Sequence, residues 1–349
     1  MPSIPGWYLR DPDRYTPMTL VIGIDEAGYG PNLGPLVIGG SSWVIDKSQN
    51  AGPSSHEKRA ADTFLALQND IHKDYQAGVG PPWGDSKKIF TRKGTKTETL
   101  EPLERGVLAA VQIATNALPS NSGQLLSYLT LQNPQESDVT CWEKLDGIAL
   151  PQATSLSKTI DHAGHAEKQL QSHTIRLTGI ACRWIFPEDF NALLDTGMNK
   201  SDLLSQLSLQ LAFHLRSQHP QRPTVIWCDR HGGRKRYAGV VSHCFDAARV
   251  EPVSETAKCS RYLIHDKPVP TSIHFSVGGE SRLPVAVASM TAKYTREVAM
   301  TVFNTFWTHC IPTLTPTAGY PVDAHRWWQE TQSERDSLGI KDTVLWRRS

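Results

Sequence analysis

A chain of 349 residues with 39% hydrophobic and 20% charged residues can bury a substantial core, and this balance excludes wholesale disorder. A formal charge of +1 excludes an overall basic footprint, so any nucleic-acid contact has to be local. The cysteines (Cys141, Cys182, Cys228, Cys244, Cys259 and Cys310) show no CxxC spacing, which argues against a zinc site and for a reduced compartment. No apolar run approaches the ~20 residues that span a bilayer. The first 17 residues lack the apolar stretch of a signal peptide. A soluble cytoplasmic protein with no membrane partner is expected.

In chain order, residues 19–24 (TLVIGI) form a β-branched strand ending at Asp25, and 35–45 (PLVIGGSSWVI) form a second. The Gly- and Pro-rich DEAGYGPNLG between them has to turn tightly. A helix is expected within 56–78 and another at about 100–117, separated by a basic loop. The Ser-, Gln- and Thr-rich stretch 118–170 shows little apolar periodicity and reads as an insertion or flexible elaboration. Residues 173–185 alternate like a strand. Residues 201–217 form a helix with a serine cap and Leu204, Leu207, Leu211 and Leu215 on one face. Strands follow at 224–228 (TVIWC), ending at Asp229, and at 271–277 (TSIHFSV), just before Glu280. A long helix over 284–308 opens on Pro284 and small residues, of which Ala286, Ala288 and Ser289 suit close packing on a sheet. Strands alternating with helices in this way make an α/β protein with a mixed sheet.

Three strands end at or just before acids: Asp25 and Glu26, Asp229, and Glu280. An acid at a strand end is, taken alone, usually a turn or cap residue. In open α/β sheets, however, sites form beyond the carboxyl ends of the strands, and carboxylates converging there repel unless cations lie between them. Mg²⁺ suits such a set, because it is a hard cation that prefers carboxylate and water. Two ions about 3.5–4 Å apart can serve hydrolysis of a phosphodiester. Neighbouring side chains of a strand point to opposite faces, so Asp25 and Glu26 can share one site only if the chain turns there. Gly28 and Gly30 would permit that turn and a close approach of ligand to backbone. Asp85-Ser86-Lys87-Lys88 offers phosphate donors. The run Arg230, His231, Arg234, Lys235 and Arg236 is either a solvated face or a phosphate-steering patch.

These residues resemble the type 2 ribonuclease H family, whose members cut the RNA strand of RNA–DNA hybrids and incise at single ribonucleotides in DNA. GIDEAGYGPNLGPLVIGG resembles the family's opening strand, turn and strand, DSKK at 85–88 its DSKK segment, and Asn199-Lys200 its Asn-Ile helix start. VIWCD at 225–229 resembles the strand bearing its third acid. GGESRLPVAVASMTAKYTRE at 278–297 resembles the stretch from the fourth acid onward, and GYP at 319–321 a late Gly-Tyr-Pro. The motifs run in the family's order from about residue 19 to 330, and 278–297 is the most specific. Three positions depart from it: Tyr29 stands where the family has arginine, Glu280 where it has aspartate, and Arg230 where it has glycine.

The resemblance implies a ribonuclease-H-like, mixed five-stranded sheet flanked by helices. It implies a catalytic domain over 19–310 after an N-terminal segment 1–18, insertions at about 46–83 and 118–170, and a C-terminal helical extension over 311–349. It further implies a two-metal Mg²⁺ or Mn²⁺ site made by Asp25, Glu26, Asp229 and Glu280, with hydrolysis leaving 3′-hydroxyl and 5′-phosphate ends. Gly28, Tyr29 and Gly30 would approach the ribonucleotide, Ser86, Lys87 and Lys293 would hold phosphates, and Tyr320 would stack at a sugar. The partner would be an RNA–DNA hybrid or a ribonucleotide-containing DNA duplex. Two other readings stand: a non-catalytic nucleic-acid binder of this fold, and a nuclease of this fold acting on DNA. Retention of all four acids disfavours the first.

Overall fold

A computed structural model of the chain describes residues 18–46, 56–85, 96–130, 147–246, 249–265 and 269–348. Its centre is one mixed sheet of seven strands. These are β1 (Thr19–Ala27), β2 (Leu36–Ile45), β3 (Ile175–Ile185), β4 (Thr224–Asp229), β5 (Val250–Glu255), β6 (Cys259–Ile264) and β7 (Thr271–Ser276), in the order β3-β2-β1-β4-β7-β6-β5. β1, β4 and β7 are parallel neighbours, and the other pairings are antiparallel. The five expected strands are all present. The additional β5–β6 hairpin extends one edge, where Pro252 is tolerated because an edge strand has unpaired positions.

The helices are α1 (His56–Gln76), α2 (Lys96–Thr115), α3 (Ser122–Leu129), α4 (Leu156–Ser172), α5 (Pro187–Asp195), α6 (Lys200–Ser217) and α7 (Ala238–Phe245), followed by α8 (Leu283–Cys310), α9 (Pro321–Glu330), α10 (Gln332–Ser337) and α11 (Asp342–Leu345). Both faces of the central strands are covered, which is why their sequences read as apolar runs. Val21, Trp43, Val225 and Trp227 share one core with residues of α1, α2, α4 and α8. Leu20, Ile22, Ile24, Ile226 and Phe275 share another with α6 and α7, and the predicted leucines 204, 207, 211 and 215 all lie in it. A third core joins Phe303 and Trp307 of α8 to Trp327, Leu345 and Leu33. Asn199, rather than a serine, caps α6: its side chain accepts from the Asp202 amide.

Over its described part, 118–170 is ordered rather than flexible. There α3 and α4 form, and Leu125, Leu129, Ala166 and Leu170 enter the core. Residues 131–146 lie outside the described residues. Much of the order comes from one acid. Fully buried Glu104 accepts amide hydrogens from Gln152 (2.8 Å), Ala153 (2.6 Å) and Thr154 (2.9 Å), and the Tyr294 hydroxyl donates to it at 2.7 Å. A satisfied buried carboxylate of this kind leaves no trace in apolar periodicity. No helix among the described residues is long and apolar enough to cross a membrane.

Helix α8 approaches the sheet as closely as backbones can. A Cβ added to Gly23 would come within 2.2 Å of the Pro284 carbonyl carbon, and one added to Gly39 within 2.2 Å of the Ala288 oxygen. The Ser41 hydroxyl donates to the Pro284 carbonyl at 2.7 Å and accepts from the Trp43 indole at 2.7 Å. Gly23→Ala is therefore expected to destabilise the protein by roughly 1–3 kcal/mol or more, as overpacking does. Urea denaturation checks this, and an unchanged midpoint would contradict the backbone contact.

Candidate active site

Strand register assembles the acids. The parallel pair Ile24↔Cys228 places Asp25 and Asp229 side by side one residue further on. Side chains alternate along a strand. Val21, Val225 and Trp227 belong to the core on the α8 side, so Asp25 and Asp229 face α8 as well. After β7 the chain enters a single 3₁₀ turn, Gly279–Ser281, before α8 begins. Gly279 packs against Asp229, and its amide donates to Asp229 Oδ1 at 2.8 Å. Glu280 thereby comes to the same strand end, 7% exposed.

Asp25 is 5% exposed, and the Glu26 amide donates to its Oδ1 at 2.9 Å. Burial first, then the charges of Glu26, Asp229 and Glu280, hold its carboxyl well above the usual carboxylate range, while a hydrogen bond with Ser289 opposes the rise. Glu26, Asp229 and Glu280 thus all lie within Coulombic reach of Asp25. Ser289, which the sequence suggested was packing only, belongs to the site; its place on the first turns of α8 and its hydroxyl were the available signals.

The turn expected from Gly28 and Gly30 forms just beyond Glu26. β1 stays paired with β2 through Ala27, and the left-handed residue is Gly28 at φ +84°. Pairing with β4 stops at Ile24, so Glu26 lies beyond that edge of the ladder. A Cβ on Gly28 would also strike Arg296 and the Pro35 carbonyl within 2.7 Å. Gly30 differs: its φ is not positive and no atom would meet an added Cβ within 4 Å, so neither reason for a glycine applies there.

Tyr29 is half-buried and packs at the edge of the α6-side core, with Lys200 Nζ 4.9 Å from its ring centroid. Burial and the charge of Glu26 raise its phenol. Lys293 is half-buried on α8, one turn beyond Ser289. Arg296 is buried and donates to the carbonyls of Leu33 (3.2 Å) and Ala318 (3.0 Å). Tyr320 is 46% exposed beside Gly319, whose carbonyl accepts the Asn32 amide at 2.8 Å, so the Gly-Tyr-Pro segment abuts the β1–β2 turn. Ser86, Lys87 and Lys88 lie outside the described residues.

The basic run after Asp229 is not one patch. His231 is buried, shares a hydrogen bond with Ser205 at 3.0 Å, and is pushed down to about 3, so it is neutral. Arg230 donates to the carbonyls of Thr256 and Ala257 in the hairpin, and Arg234 pairs with Asp202. Lys235 and Arg236 remain exposed.

Among the described residues, no three His, Cys, Asp or Glu side chains are already drawn around one point as a metal shell. The donor set nevertheless fits a hard divalent cation. It consists of carboxylates only, one of them buried against the charge of three others, and Mg²⁺ keeps several waters and needs few protein ligands.

No protein-family model matches the chain, and no curated protein does. Solved structures to which it is similar include the ribonuclease H2 of Pyrococcus horikoshii OT3, at 16% identity and a TM-score of 0.43 over 93% of this chain and 92% of that one. Another is the ribonuclease HII of Archaeoglobus fulgidus, solved in complex with PCNA, at 14% identity and 0.40 over 93% of each chain. A third is Bst-RNase HIII in complex with Mn²⁺, at 14% identity and 0.41 over 94% of this chain and 66% of that one.

The Asp25 carboxyl is raised on folding, so its protonated form stabilises the fold. That stabilisation is complete below the ordinary carboxylate pKa of about 4 and is lost as pH rises through the higher folded value. In EDTA, Asp25→Asn is expected to melt at a higher temperature than the parent at pH 7, with the gain fading toward pH 4. Equal melting temperatures at pH 7 would show that the acids do not strain the metal-free fold.

Proposed function

We propose that the chain is a divalent-cation-dependent endonuclease that hydrolyses the RNA strand of RNA–DNA hybrids or incises at ribonucleotides in DNA. The observation that carries this reading is the convergence of Asp25, Glu26, Asp229 and Glu280 at the ends of parallel strands, with Asp25 buried against the other three charges. A pure binding protein gains nothing from such crowding, which costs stability unless cations relieve it. The ordered motifs from DEAG to GYP supply the choice of substrate.

Asp25, Glu26, Asp229 and Glu280 would hold Mg²⁺ or Mn²⁺. Cations bound there supply Lewis-acid stabilisation of the charge that develops on a phosphodiester and lower the pKa of water. The remaining work belongs to the protein. Ser289 and the Glu26 amide fix the Asp25 carboxylate, and the Gly279 amide fixes that of Asp229. Fixed donors need no reorganisation as the reaction proceeds. The Gly28–Gly30 turn lies directly after the acids and would meet the ribonucleotide, Lys293 would meet a phosphate, and exposed Tyr320 would meet a sugar.

Asp25→Asn and Asp229→Asn are each expected to abolish Mg²⁺-dependent cleavage of a hybrid in folded protein. Near-parental rates in either would remove the carboxylates from catalysis. The substrate is settled by comparing a full hybrid, a DNA duplex with one ribonucleotide, duplex RNA and duplex DNA; cleavage of duplex DNA alone would replace the ribonuclease reading with a deoxyribonuclease of this fold. At Glu280, aspartate keeps the charge on a shorter arm, whereas glutamine keeps the length and loses the charge. Glu280→Asp is expected to retain or exceed parental activity, and Glu280→Gln to lose most of it at saturating Mg²⁺. Equal rates for Gln and Glu would show that Glu280 does not meet the cation.

A further inference from the structure

A lysine on α6, where the resemblance has an isoleucine, stands over the turn that follows the acids. Lys200 is the first residue of α6, directly after the Asn199 cap. Its Nζ lies 4.9 Å from the Tyr29 ring centroid and 5.9 Å from that of Phe190, so the ammonium sits over aromatic surface. No carboxylate among the described residues forms an ion pair with it. The acids nearest in sequence are engaged elsewhere: Asp202 by Arg234 and Asn199, and Asp195 by Arg348 at 2.6 Å. A half-buried ammonium with no anion pays for desolvation, and here burial and the charge of Arg347 pull its pKa down.

The turn beneath this charge is held rigidly. Arg347, 1% exposed, donates through Nη2 to the carbonyls of Gly28 (2.6 Å) and Pro31. The Arg347 amide donates to the Asn32 carbonyl at 2.8 Å, and Asn32 Nδ2 returns a bond to the Arg347 carbonyl at 3.1 Å. Arg347 Nη2 is therefore committed to backbone carbonyls inside the protein. Lys200, half-buried on α6 with its ammonium over the Tyr29 ring, can instead meet an anion. It also lies at the amino end of an 18-residue helix, whose dipole favours negative charge there.

Resting on the nuclease reading, the geometry points to Lys200, with Tyr29 as its platform, as a phosphate-binding residue that takes a phosphodiester flanking the one at the carboxylates. A strand brought to four acids meets repulsion on its neighbouring phosphates as well, and a cation at the adjoining turn offsets it. Tyr29 thus acts by seating Lys200 rather than by offering an open ring for stacking, and its hydroxyl is dispensable.

The test measures affinity of the full chain for a fluorescent RNA–DNA hybrid against salt, in Mg²⁺ and with Asp229→Asn throughout to prevent turnover. Lys200→Gln is expected to bind several-fold more weakly at low salt and to flatten the slope of log K against log salt by about 0.7–0.9, one phosphate contact. Lys200→Arg and Tyr29→Phe should keep the parental slope, while Tyr29→Ala should lose part of it. Circular dichroism and melting confirm that each variant is folded. If the parent binds the hybrid and Lys200→Gln keeps its slope, Lys200 touches no phosphate and the inference fails while the nuclease reading stands. If the parent neither binds hybrid nor, with Asp229 restored, cleaves it, both fall.

Discussion

Like charges held together at low exposure constrain the rest of this molecule. Asp25 is buried with Glu26, Asp229 and Glu280 pressing on its charge. Such an arrangement survives only if the surrounding frame cannot relax to separate the acids. The frame is the contact between α8 and the sheet, where Gly23 and Gly39 let the Pro284 and Ala288 backbones touch the strands. That contact seats Ser289 against Asp25 and fixes the short turn bearing Glu280 beside Asp229. Three clusters of buried apolar side chains, two of them on opposite faces of the sheet, supply the energy that the acids spend.

Around the acids, the protein places its arginines according to what each must hold. Arg296 and Arg347 lie inside and bond backbone carbonyls of the β1–β2 turn and its neighbour at Ala318. Arg230 braces the β5–β6 hairpin, and Arg234 pairs with Asp202. A guanidinium suits these tasks, because its planar fork satisfies several carbonyls at once. The ammonium of Lys200 is a single mobile point charge, which suits an exchangeable ligand better than a fixed brace.

The central strands were legible because burial on both faces makes each a short apolar run ending in an acid. The cores of α6 and α8 were legible from their leucines and small residues. The β5–β6 hairpin was not, since an edge hairpin with Pro252 and half-exposed positions carries no such run. The α3–α4 region misled for a different reason: Glu104 organises it through hydrogen bonds, and a lone glutamate in a sequence announces nothing. At the site, the four acids could be read from strand ends. Ser289 as an Asp25 partner, Lys200 over Tyr29, and Arg347 beneath Gly28 could not, because each joins segments distant in sequence. The basic run after Asp229 looked like one patch only because sequence adjacency hides that His231 points inward while Arg236 points out.

The bond from Arg347 to Gly28 spans 319 residues. Contacts of such separation carry the largest loop-closure cost and form only when the intervening chain is already in place. The turn that follows Asp25 and Glu26 is therefore closed late in folding, after the strands and helices between its two partners have packed.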